Sequence, residues 1–209
     1  MSMDERERPP ELMSAMTTEH FVLQTATSTS VSESASRAAL YVMSLSSVLV
    51  AIGFVSQTSG AFVPFVATVL PGLFLLGVFT FFRLVDNATE NLQFLTGIAR
   101  IREYYRTLSP EATAYFPIDG GRWPEPSMLA QRRGPLPLLF TSASTIAVVN
   151  SMVAGAGAAL LANAWLAGGV TVLVVSSGVV VAVALIAAAY AFQRWRYSVF
   201  ERNGWATLT

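Results

Sequence analysis

Two long stretches of the chain hold no charged residue, Ala38 to Phe82 and Gly134 to Gln193. Within them the apolar positions fall into four runs, roughly Ala38 to Val55, Ala61 to Phe82, Leu138 to Ala162 and Val170 to Phe192. Each run is near the length a helix needs to cross a hydrocarbon core of roughly 30 Å, and two such blocks are hard to explain in water. The pattern predicts an all-α membrane protein with four transmembrane helices. Ser56-Gln57-Thr58-Ser59-Gly60 joins the first two runs and Asn163 to Gly169 the last two, connections short enough for two tight antiparallel hairpins.

Outside these runs the periodicity changes. From Asp86 to Leu108 apolar residues recur at Leu92, Leu95, Ile98, Ile101, Tyr105 and Leu108, a three-to-four spacing that marks one face of a helix. Glu90, Gln93, Arg100, Glu103 and Arg106 form the other face. One helix is therefore expected from Gly72 to Leu108, roughly 55 Å at 1.5 Å per residue, stopped by Ser109-Pro110. Thr17 to Arg37 contains no proline or glycine and extends the first membrane helix in the same direction, with Thr17 as N-cap. These two extensions are expected to pack together as a cytoplasmic stalk, because the stripe on the second is too apolar to stand in water uncovered. Phe21, Val22 and Val31 are the expected contacts of the first.

The resulting layout is a disordered leader over 1–16 and a first hairpin with its extensions over 17–108, with spans at 38–55 and 61–82. A linker over 109–137 follows, carrying six prolines and Asp119-Gly120-Gly121. The second hairpin covers 138–192, with spans at 138–162 and 170–192, and a tail covers 193–209. Met13 and Met16 are alternative starts, and no cleaved signal peptide is expected, since no apolar core lies near the start.

Composition agrees, at 53% hydrophobic and 12% charged residues, too apolar for a soluble chain. All 13 basic residues are arginine, which reads as the codon bias of a GC-rich, bacterial genome. They fall before the first run, between the hairpins and after the last run, and neither hairpin loop has any. The positive-inside rule then puts both termini and the central linker in the cytoplasm. Trp165 in an outer loop, with Tyr190, Trp195 and Tyr197 at the inner end of the fourth run, matches the headgroup preference of amphipathic rings. Arg132-Arg133 and Arg194-x-Arg196 can snorkel to anionic headgroups.

The strongest local signal is in the third run, where Ala143, Ala147, Ser151, Gly155 and Ala159 follow at intervals of four. Small residues in such a row let another helix approach closely, inside the bundle or between protomers of a homo-oligomer. Asn150 lies beside that row. Its carboxamide costs several kcal/mol in hydrocarbon unless paired, so it must meet another helix or water. Ser46, Ser47, Ser176 and Ser177 lie at similar depth as candidate partners, and Asn150, Ser151 and Gly155 are the candidate structural or pore residues. Pro64, Pro71-Gly72 and Gly77 interrupt the second run, and Thr68 is placed to help satisfy the carbonyl of Ala67 that Pro71 leaves without a donor. Arg100, Arg102 and Arg106 read as a solvated face paired with Glu103, and His20 as a surface histidine.

Reactive constellations are missing from the sequence. It has no cysteine, no acidic, basic or histidine residue in the membrane runs, and no P-loop or dinucleotide fingerprint. The chain is expected to be no enzyme, with no cofactor, no metal site and no nucleic-acid partner. Glu19-His20-Phe21, Arg37 and Arg100-Ile101-Arg102-Glu103-Tyr104-Tyr105 give the first half a resemblance to a group of small actinobacterial integral membrane proteins of uncharacterised activity. That resemblance implies a bacterial plasma-membrane location. Three roles are open: an interaction or oligomerisation module, a small channel or pore-forming effector controlled by its cytoplasmic helices, and an accessory subunit of a transporter or secretion complex.

Overall fold

The computed structural model describes residues 10–58, 60–116, 141–165 and 171–205. Its regular structure there is entirely helical: α1 Pro10–Val55, α2 Phe62–Arg106, α3 Ala112–Tyr115, α4 Ser142–Trp165 and α5 Thr171–Trp205. Four of them, all but α3, are long and apolar enough to cross a membrane.

The helix ends differ from the sequence expectation in physically simple ways. The leader expected to be disordered over 1–16 is helical from Pro10 onward; the residues before it lie outside those described. Proline suits the first helical position because its missing N–H has no intrahelical acceptor there, and Glu11 in the first turn complements the helix dipole. Thr17 is consequently not a cap. Its hydroxyl donates back to the Met13 carbonyl at 2.9 Å, as Thr18 does to Ser14 and Thr25 to Phe21, which leaves the helix ladder intact. The expected tail over 193–209 is helical as far as Trp205. At the other helix of that pair, Thr141 caps α4, its hydroxyl accepting from the Ser144 N–H at 3.1 Å.

Helix α2 runs 45 residues through Pro71 without a break. Thr68 does not turn toward the Ala67 carbonyl; its hydroxyl donates to Pro64 O at 2.9 Å. Gly60, in the turn after α1, has φ +84°, a left-handed conformation that a side chain would strain. Within the expected linker, Ala112–Tyr115 form a short helix, and residues 117–140 lie outside the described set.

The chain divides into two compact units, Met1–Ser32 with Ala88–Arg133, and Glu33–Asn87 with Gly134–Thr209. In the first, α1 and α2 residues meet along a seam where Leu23 packs so closely on Gly97 that a Cβ there would lie 2.9 Å from Leu23 Cδ1. Ile98, Ala99 and Ile101 are buried, and the His20 ring lies 6.4 Å from that of Tyr105. The α1 face in this seam is not the expected one. Phe21, Val22 and Val31 are more than half exposed, while Ser30 is buried. The face follows 20, 23, 27 and 30, with Leu23 seated on Gly97.

In the second unit Tyr41, Leu73, Phe81, Leu84, Val85, Ala143, Ile146 and Ala147 form one core, and Leu45, Val48, Val149, Val153 and Phe192 pack against it. Four aromatic rings continue it at one level: Phe82 meets Phe192 edge-on at 4.9 Å, with Phe81 and Trp195 beside Phe192 at 6.0 and 5.9 Å.

Candidate functional site

Asn150 of α4 is the polar centre of the second unit. Its Oδ1 accepts from the Tyr41 hydroxyl of α1 at 3.1 Å, and its Nδ2 donates to the Phe74 carbonyl of α2 at 3.2 Å. Both ends of the carboxamide are thus paired, on two different helices, and Asn150 and Tyr41 are buried. Gly77 makes the arrangement fit. A Cβ there would stand 2.2 Å from Asn150 Oδ1, so only a residue without a side chain lets the carboxamide reach the α2 backbone.

The serines expected to partner Asn150 do something else. Ser46 and Ser47 donate to the carbonyls of Val42 and Met43, and Ser176 and Ser177 to those of Leu173 and Val174. A serine hydroxyl at membrane depth satisfies itself on its own helix more readily than across a gap, whereas a tyrosine has the reach to cross one. Ser151 behaves like the other serines and donates to Ala147 O at 2.7 Å.

Gly155 marks the crossing of α4 and α5. A Cβ on it would lie 2.6 Å from the Gly178 carbonyl oxygen, and a Cβ on Gly178 would lie 2.7 Å from the Gly155 oxygen, with Ala159 and Ala182 next nearest. The small-residue row therefore meets a partner within this chain, the Gly178/Ala182 pair on α5, which the reading of α4 alone did not identify. Both helices carry a small residue four positions after the glycine, and that repeat is the signal that points to the pairing.

At one end of the same unit lies a layer of paired polar groups. Arg37 Nε and Arg83 Nε both donate to Glu33 Oε1, at 2.8 and 3.1 Å. The hydrogen bonds from Arg83 and then Arg37 hold the Glu33 carboxyl below the usual carboxylate range. Asn87 Nδ2 donates to Ser34 Oγ at 3.2 Å, the Ser144 hydroxyl donates to Gln193 Oε1 at 3.2 Å, and Arg196 pairs with Asp86. Arg196 is therefore engaged with α2, where the sequence pattern had it snorkelling beside Arg194.

In the first unit, Arg102 is buried and lies 5.8 Å from the centroid of Phe116, a cation–π contact, so it is not part of the solvated face expected for Arg100, Arg102 and Arg106. His20 is likewise no plain surface histidine. Its Nδ1 is enclosed, and burial, then the charge of Arg102, push its pKa below the usual value.

Among the described residues no three or more His, Cys, Asp and Glu side chains converge as a metal site. What these residues form is a set of interhelical joints: Asn150 ties three helices, Gly155 and Gly178 seat a fourth, and the charged layer closes one end. No family model matches the chain, and no curated protein or solved structure is recognisably similar to it, so a functional reading rests on its own residues.

Proposed function

We propose that the protein is a non-enzymatic, multi-pass membrane protein that acts as an interaction or oligomerisation module. The observation that carries this reading is the setting of Asn150: this carboxamide at membrane depth is buried, its oxygen accepting from Tyr41 and its nitrogen donating to the Phe74 carbonyl of the same chain. A group lining an ion path must stand open to water or the ion. Here it fixes a scaffold. The interacting surface in this reading is the part of α1 outside the membrane runs, where Phe21, Val22 and Val31 stand open. The four helices form two hairpins in the inner membrane of a bacterium, with both termini and the extensions of α1 and α2 in the cytoplasm and anionic lipid around the inner arginines.

Liposome flux and native mass spectrometry of the purified protein test this together. The expected result is no ion or dye flux above empty vesicles, and a homo-oligomer or co-purified protein lost on Phe21→Glu with Val31→Glu. A flux that Asn150→Leu abolishes overturns the reading in favour of a channel. Sidedness is tested separately on the cysteine-free chain. Single cysteines at Thr58 and Ala167 should label from outside intact cells, and cysteines at Ser127 and Thr207 should not.

A further inference from the structure

We propose that the first part of α1, residues 10–24, is a releasable arm that leaves α2 and returns, bending at a hydroxyl-rich stretch over residues 25–36 while the second unit keeps its packing. The inference stands on the packing of the first unit and not on the role proposed above. Its first support is where α1 is weak. The helix holds no proline after Pro10 and no glycine before Gly53, yet eight of the twelve residues 25–36 are serine or threonine. Hydroxyl side chains compete with the backbone for its own hydrogen bonds, and Thr25 and Ser28 do so here, donating to the carbonyls of Phe21 and Thr25. The boundary between the two compact units falls inside this stretch, after Ser32.

The second support is the seam itself. Of the α1 residues along it, His20, Leu23, Thr27 and Ser30, only Leu23 is aliphatic, and its seat on Gly97 is the close contact. Three enclosed polar atoms of this unit, His20 Nδ1, Thr27 Oγ1 and Asn91 Oδ1, have no hydrogen-bond partner among the described residues. Thr17, Thr18 and Thr25 each donate to the carbonyl four residues back, whereas Thr27 makes no such bond. Asn91 lies seven residues before Ile98 and so shares its face of α2. Each of these atoms gives up water on docking and gains nothing in return, so each works against the closed seam. Leu23 on Gly97 and the His20–Tyr105 ring pair work for it. Opposed terms of this kind, next to a weak stretch of helix, are the condition for a released minor state that the rest of the fold survives. Release uncovers Leu23 and the hollow at Gly97, so the surface this unit presents depends on where the arm stands.

The test uses the full cysteine-free chain in nanodiscs, with spin labels at T18C and E103C, both exposed and both in the first unit, and distances read by double electron–electron resonance. A reference pair at M43C and M152C, exposed in the second unit, should give one distance in every variant. The T18C/E103C pair should give a short major and a long minor population. T27V/N91L replaces two of the enclosed polar atoms by apolar groups of similar shape and should cut the long population about fivefold or more. G97L drives a side chain into Leu23 and should make the long population the major one. S28A/T29A/S32A, at exposed positions, strengthens the helix without touching the seam and should lower the long population. A single short distance in both the unsubstituted background and G97L overturns the arm. A long population that grows in T27V/N91L shows that those atoms hold the seam shut, which overturns the proposed balance. A long population unchanged in S28A/T29A/S32A overturns the bend at residues 25–36. Spreading of the reference pair in step with the first pair means that the whole fold opens and no arm exists.

Discussion

Within Glu33–Asn87 and Gly134–Thr209 the most deeply buried side chains include Tyr41, Asn87 and Gln193, while Phe54, Val63, Phe79 and Val172 are at least 70% exposed. Within Met1–Ser32 and Ala88–Arg133 the side chains at 0% exposure are apolar, Ile98 and Ala99, and Glu90, Arg100 and Glu103 stand outside, although Arg102 and Ser30 turn inward. The same chain thus packs by two rules. If this unit stands in water, as proposed above, burying Ile98 removes apolar surface from a hostile solvent. Against lipid tails a leucine gains little from burial, and the groups that must turn inward are the ones lipid cannot hydrogen-bond. Helices there are held by close approach and interhelical bonds. The contrast predicts that equivalent insults act through different terms in the two units.

The largest effect is expected where close approach has no slack. Gly155→Leu puts a side chain into the Gly178 backbone oxygen, which cannot rotate away, and should destabilise the protein in detergent by about 3 kcal/mol or more. Gly178→Leu should match it. The control belongs at Met152, which is exposed, and not at Val149, which packs on the core. Unchanged thermal stability of Gly155→Leu would show that α4 and α5 do not cross there.

In the other unit the matching insult is polarity. Ile98→Asp buries a carboxylate where a methyl-rich side chain sits at 0% exposure, and should cost about 3 kcal/mol. The loss should be local enough to see by trypsin: Arg100 and Arg102 become cleavable while Arg194 and Arg196 keep their wild-type rates. Global unfolding without selective cleavage would mean that this unit has no seam of its own.

How much of this could be read in advance differs between the units for the same reason. The four apolar helices were legible because lipid demands long uninterrupted runs, and Asn150 stood out because a carboxamide in such a run must be paired. Its partners were not legible. Helical periodicity gives the face a residue occupies but not which helix lies opposite, and the nearest polar candidates by depth, the serines, satisfy themselves locally. Tyr41, the sole tyrosine of the first uncharged block, was the available clue. On α1 outside the apolar runs, hydrophobicity pointed to Phe21, Val22 and Val31, whereas the seam follows His20, Leu23, Thr27 and Ser30. A two-helix contact is set by which side chains are small enough or flat enough to let backbones near, and a hydrophobic pattern does not report that.

A smaller effect sharpens the polar side of the contrast. Tyr41→Phe deletes one interhelical hydrogen bond and should cost about 0.6 kcal/mol, and Asn150→Ala, which deletes two, about 1 to 2 kcal/mol. Gly77→Ala should cost about 1 to 3 kcal/mol by colliding with the carboxamide. Combined with Asn150→Ala that collision vanishes, so the double variant should be more stable than the two single losses add up to. Strict additivity would separate Gly77 from Asn150.

The smallest effect expected is a pH dependence in the unit that holds His20. His20 is partly enclosed beside Tyr105, and burial, then the charge of Arg102, lower its pKa from 6.5. The groups around it settle the sign. Arg102 and Tyr105 face it from α2, and Glu19 adjoins it on α1. The folded state therefore resists protonating His20 more than the unfolded chain does. Above the unfolded pKa both states are neutral here and the residue contributes nothing that varies with pH. As pH falls below 6.5 the unfolded chain takes up the proton first, so stability is lost progressively down through the folded pKa. Opening of the seam, followed by trypsin cutting at Arg102, should accelerate over that window in wild type, and His20→Gln should flatten the dependence without changing the rate at pH 8. Cleavage that slows on acidification in wild type, or a His20→Gln profile that keeps the wild-type slope, would mean that the proton acts somewhere other than His20.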